Sequence, residues 1–202
     1  GIVTLGNSGS GTDVLTFTGG VDTIGGVTDP ATVNIGSRVV TVGNPIVLGA
    51  VTLTAASELD TGNAAGGTIA VGAITSGGFA LVLDSGATAG ATIGVTSMDS
   101  LAGGLTIRDA GGLATIGTLG AGGTGTVTIT DSQAGVTFSG NVTATTLTIT
   151  DTDNADDITF ADGQTVALTT LTTAAPAYDV IINSSTFGVT NAVQFINTGI
   201  VT

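Results

Sequence analysis

Leu105-Thr106-Ile107-Arg108-Asp109, Val127-Thr128-Ile129-Thr130-Asp131 and Leu147-Thr148-Ile149-Thr150-Asp151 are three copies of one short phrase. An earlier relative, Ala80-Leu81-Val82-Leu83-Asp84, belongs to the same series, and the closing aspartates are 25, 22 and 20 residues apart. Within each copy apolar residues alternate with variable ones, the period of a strand with one face inward and one outward. A unit recurring every 20–25 residues is the mark of a solenoid coil. The expected fold is therefore all-β, a right-handed parallel β-solenoid (β-helix) with coils of about 20–25 residues, since parallel crossovers are overwhelmingly right-handed. A β-sandwich, or a pair of them, is the alternative.

Stacking the copies predicts specific ladders. Ile107, Ile129 and Ile149 form one inward row, and Leu105, Val127 and Leu147 a second. Thr106, Thr128 and Thr148 form an outward row, where β-branched side chains suit a pleated surface. Phe138 and Phe160, 22 residues apart, are expected to stack in the interior.

Composition agrees. The 202 residues are 42% hydrophobic but only 3% aromatic, with no Trp, so the core must come from Val, Ile, Leu and Ala. The 34 Gly, with abundant Thr, Ser, Asn and Asp, supply frequent turns. One Glu, no Lys and one Met leave few helix formers. Fifteen acidic groups against two arginines give a formal charge of −13, which argues against a nucleic-acid partner or an anionic membrane surface. No apolar run is long enough for a membrane-spanning helix. Cys is absent, and Gly1-Ile2-Val3 is neither an initiator Met nor a signal peptide. The chain reads as a mature product or an excised piece of something larger. With Arg38 and Arg108 the sole basic side chains, trypsin-like proteases have few sites and lysine-dependent isopeptide bonds cannot form. That suits an extracellular or cell-surface location.

Along the chain, residues 1–66 read as an irregular strand-rich part, a cap or assembly region, and 67–202 as solenoid coils. Strands are expected at Ile2 to Leu5, Val14 to Thr18, Ala31 to Ile35 and Arg38 to Val42, with a protruding loop over 56–66. After Leu168 the pattern loosens, with strands resuming at Tyr178 to Asn183 and Asn191 to Asn197. The ends share a tetrapeptide, Gly1-Ile2-Val3-Thr4 and Gly199-Ile200-Val201-Thr202, as equivalent positions in a longer array would.

The segments Val127-Thr128-Ile129-Thr130-Asp131, Gly135-Val136-Thr137-Phe138-Ser139-Gly140 and Thr145 to Asp151 resemble the β-strand-repeat regions of giant bacterial surface proteins, haemagglutinin-like and autotransporter-passenger-like. The resemblance covers roughly residues 67–172 and rests on composition. The acidic loop at 151–157 and the first quarter depart from it. It implies a secreted, elongated, non-enzymatic role in adhesion, stalks or fibres, with a cell-surface or host receptor as partner.

Candidate chemistry is sparse. Without His, Cys or Lys the usual bases and activated nucleophiles are missing, and one Tyr with no Trp makes a poor sugar platform, so no enzymatic activity is expected. No cofactor is required by this reading. The oxygen-rich run Asp151, Asp153, Asn154, Asp156 and Asp157 is a candidate Ca²⁺ loop, because Ca²⁺ takes six to eight oxygen ligands. It departs from the EF-hand at Ala155 and Asp156. The competing reading is a solvated turn whose side chains cap backbone amides. The aspartate series Asp84, Asp109, Asp131 and Asp151 poses the same choice, cation bridges or turn amides. Asn141-Val142-Thr143 and Asn183-Ser184-Ser185 match the glycosylation tripeptide.

The function expected from these readings is a structural, self-assembling subunit of an extracellular filament, sheath or surface layer, associating end to end. A stalk or passenger segment of a large adhesin is the alternative. A third reading is an ice-binding solenoid, suggested by the Thr-x-Thr ranks at 126–130 and 146–150, which fade elsewhere in the sequence.

Overall fold

The computed structural model describes residues 1–6, 12–120, 125–152 and 156–202. It is all-β, and every strand pairing is parallel. The first coil carries β1 (Ile2–Leu5), β2 (Val14–Phe17) and β3 (Val21–Asp22). The next carries β4 (Thr32–Ile35), β5 (Arg38–Thr41) and β6 (Ile46–Leu48). Then come β7 (Val51–Leu53), β8 (Ser57–Asp60) and β9 (Ile69–Thr75), followed by β10 (Leu81–Gly86) and β11 (Ile93–Met98). Four further turns add β12 (Leu101–Ala110), β13 (Ala114–Leu119), β14 (Gly125–Ile129), β15 (Val136–Phe138), β16 (Val142–Ile149), β17 (Asp157–Phe160), β18 (Thr165–Thr173) and β19 (Asp179–Ile182). The last strand is β20 (Thr186–Val189).

These strands build three faces. The first face runs β2, β5, β8, β10, β12, β14, β16, β18. The second runs β3, β6, β9, β11, β13, β15, β17, β19. The third runs β1, β4 and β7, continues through the ends of β9, β11 and β13 and the starts of β16 and β18, and finishes at β20. A β-solenoid, not a sandwich, is the architecture.

The expected ladders are present. Leu105, Val127 and Leu147 are aligned with Ile107, Ile129 and Ile149 two residues on, all with 0–1% exposure. Thr106, Thr128 and Thr148 stand in register on the outer surface. The Phe138 and Phe160 rings stack at 5.0 Å and 9°, and Phe187 meets Phe160 edge-on at 5.0 Å. Offset or edge contacts of this kind add about 1 kcal/mol beyond area burial.

Two local expectations are corrected. Residues 56–66 are not a simple protruding loop, because β8 lies in the first face between β5 and β10. Its Ser57 occupies an inward slot, aligned with Leu81, and donates to Ala55 O at 2.9 Å and Ile35 O at 3.3 Å. A buried hydroxyl satisfied by main chain costs little. Residues 191–197 form no strand, although Asn191 N donates to Thr169 O and Ile196 N to Thr173 Oγ1. The strands before residue 67 share ladders with those after it: β5 pairs β8, and β6 and β7 both pair β9. Among the described residues no helix is long and apolar enough to cross a membrane.

Candidate functional site

The aspartate series marks the corner where the first face turns into the second. Asp60 is aligned with Asp84, and Asp84 with Asp109. Asp60 Oδ1 accepts from Gly62 N at 2.7 Å, and Asp84 Oδ1 from Gly86 N at 3.0 Å. Both glycines have positive φ, 72° and 75°, which a side chain would strain. At these two coils the turn-amide reading holds.

Asp109 differs. One extra residue, Arg108, bulges the strand between Ile107 and Asp109, so that Leu83 and Asp84 face Ile107 and Asp109. Asp109 Oδ1 is shut off from solvent and meets no hydrogen-bond donor among the described residues. Burial first, then the charges of Asp131 and Asp84, push its carboxyl up to about 6 from 3.8. The bulged Arg108 points the other way. Its Nη1 reaches Glu58 Oε1 at 2.7 Å and Asp84 Oδ2 at 3.3 Å. From the opposite side Arg38 binds Glu58 Oε1 at 3.0 Å and Asp60 Oδ2. Both cationic side chains of the protein thus meet on its one glutamate. The arginines are 43–44% exposed, so each pair is worth about 0–1 kcal/mol, and the cluster fixes register more than it adds stability.

Beside the aspartates runs a second column that sequence reading missed. Thr61, Ser85, Ser132 and Thr152 each follow a series aspartate and are fully buried. Thr61 Oγ1 donates to Gly67 O, Ser85 Oγ to Ala91 O at 2.7 Å, Ser132 Oγ to Gly135 O at 2.8 Å and Thr152 Oγ1 to Asp156 O at 3.0 Å. Each hydroxyl ties the corner to the carbonyl near the next strand. The signal was present as Asp-Thr or Asp-Ser at four coils, with Ala110 the exception.

Of the candidate Ca²⁺ ligands, Asp153 and Asn154 lie outside the described residues. Asp151 and Asp156 are partly buried and flank that segment. Asp157 begins β17, aligned with Asp179 of β19, and burial followed by the charges of Asp179 and Asp156 raises its carboxyl above the ordinary range. Among the described residues no three carboxylates stand close enough to share a metal ion. Of the glycosylation tripeptides, Asn141 Oδ1 accepts from Thr165 N at 2.8 Å, and Asn183 is exposed.

A concavity of about 550 Å³ opens where the second face meets the third, lined by Ile24, Val71, Gly72, Val95 and Gly117 among others. Its walls are apolar side chains, glycine backbone and a few hydroxyls. No family model, curated protein or solved structure matches this chain.

Proposed function

We propose that the protein is a structural, self-associating subunit that stacks end to end, as in an extracellular filament, sheath or surface layer. The observation that carries this reading is where the half-buried apolar side chains lie. Those packed only partly against the core are Leu15, Phe17 and Val21 in the first coil and Ile182, Phe187, Val189, Val193 and Phe195 in the last two. Among the described residues β1, β2 and β3 are each paired on one side, as is β20. Ile2 and Val14 at one end are 68% and 57% exposed, and Ile200 at the other is 61% exposed. An open edge of this kind templates further strands.

Charge favours contact between these two ends. Residues 180–202 contain no ionisable side chain, so the strongly negative flanks need not meet across the joint. A second copy would place β1 over β20 and β2 over the segment carrying Val193 and Phe195. The same edges suit the alternative role, a stalk segment of a large adhesin, in which further coils of a longer chain cover them.

Sedimentation across a wide concentration range tests the proposal. Concentration-dependent, salt-tolerant assemblies are expected, and Leu15→Asp together with Phe195→Asp should return them to monomers with the strand signal intact. A wild-type chain that remains monomeric at the highest concentration rules out self-association and leaves the stalk reading in its place.

A further inference from the structure

The first face is divided. The ionic cluster of Arg38, Glu58, Asp60, Asp84 and Arg108 occupies β5 to β12, whereas β14, β16 and β18 carry threonines at their outward positions on this face. Thr126, Thr146 and Thr170 are aligned in one column, and Thr128, Thr148 and Thr172 in the next, with no shift of register between the coils. The sequence suggests that these ranks fade after residue 150, but the ladder carries them on to β18. Thr106 extends the second column back onto β12. Thr130 and Thr150 stand exposed just past the ends of β14 and β16.

We infer that this threonine array is an ice-binding surface. Parallel rungs set one repeat at about 4.8 Å, and alternate residues along a strand set the other at about 6.6 Å. The first repeat lies close to the a-axis repeat of hexagonal ice, and the second falls about a tenth short of its c-axis repeat, a small mismatch across an array two columns wide. Threonine's branched side chain has few χ1 options, so its hydroxyl and methyl are held in fixed rows. Of the six paired hydroxyls, Thr170 Oγ1 accepts from Asn191 Nδ2 at 2.8 Å, and among the described residues the others meet no protein group. The six paired threonines carry no charge themselves, and the nearest charged side chains, Arg108, Asp131 and Asp151, stand at the margins of the array. A single hydroxyl gains almost nothing by exchanging one water for another. A rigid lattice of them makes many such contacts at once and loses little conformational entropy on adsorption, which favours holding onto a growing crystal.

The observation is independent of end-to-end stacking, which concerns other residues. The test measures freezing hysteresis and crystal shape on the full chain, on Thr148→Tyr, and on Thr137→Tyr, which places the same bulk on the second face. Circular dichroism confirms that all three are folded. Hysteresis with faceted crystals is expected for the wild type and Thr137→Tyr, and its loss for Thr148→Tyr. No hysteresis in the wild type overturns the inference, as does equal loss in both variants. A Thr148→Tyr chain whose sedimentation changes while ice growth does not would assign the array to packing against another protein face, and would equally overturn it.

Discussion

Ile129 and Thr128 are neighbours in one strand with opposite surroundings. Ile129 is wholly buried between Ile107 and Ile149, whereas Thr128 stands outward. Ile129→Asp places a carboxylate in a row with no donor or cation, and should cost about 4 kcal/mol or more. Thr128→Asp keeps its charge in water and should cost about 1 kcal/mol or less. Thermal melting of the two variants checks this, and equal losses would reverse the assignment of inner and outer faces. Asp109 gives the residue scale a pH dependence. Its folded carboxyl titrates at about 6 against 3.8 when unperturbed, so the folded state holds the proton more tightly. Its stabilising contribution is complete below about pH 4 and is lost as the pH rises through 6. The melting temperature should therefore rise when the protein is taken from pH 7 to pH 5. Asp109→Asn, neutral throughout, should be the more stable chain at pH 7 and should flatten that rise. The raised carboxyl of Asp157 acts in the same direction.

At the scale of single elements, the corner between the first and second faces is built twice over, by carboxylates accepting turn amides and by buried hydroxyls behind them. The 151–157 corner keeps the hydroxyl lock, through Thr152 and Asp156 O, and adds the densest run of acidic side chains in the protein. If Ca²⁺ offsets the repulsion there, chelation should lower the melting temperature, and Asp153→Asn with Asp156→Asn should remove the sensitivity. Identical melting curves with and without chelator would leave a solvated turn. The elements also show what the sequence disclosed and what it concealed. The ladders of Ile107, Ile129 and Ile149 were legible because three coils of nearly equal length keep their apolar residues in phase. β8 was not, because Ser57 fills an apolar slot and Glu58 is there for arginines 20 and 50 residues away. Period-two reading sees neither a hydroxyl satisfied by distant carbonyls nor a charge placed for a partner in another coil. The burial of Asp109 was equally hidden, since it depends on a one-residue bulge visible only against the neighbouring strand.

For the molecule as a whole, coil length proves more elastic than the repeat suggests. Aligned residues are 18 apart between Val33 and Val51 and 30 apart between Ile2 and Thr32. Corners absorb this variation while the ladders hold, so each coil contacts the coils beside it and little else. That arrangement has a mechanical consequence. A turn such as Ala114 to Val136 contains 22 residues yet lengthens the stack by only about 4.8 Å. Drawn out straight, the same turn reaches about 75 Å. Tension applied along the axis would peel rungs from an end one at a time, each surrendering more than ten times its own height. Every rung left behind would still be gripped by its neighbour. Such a chain under load would act as a spool, paying out its slack in steps.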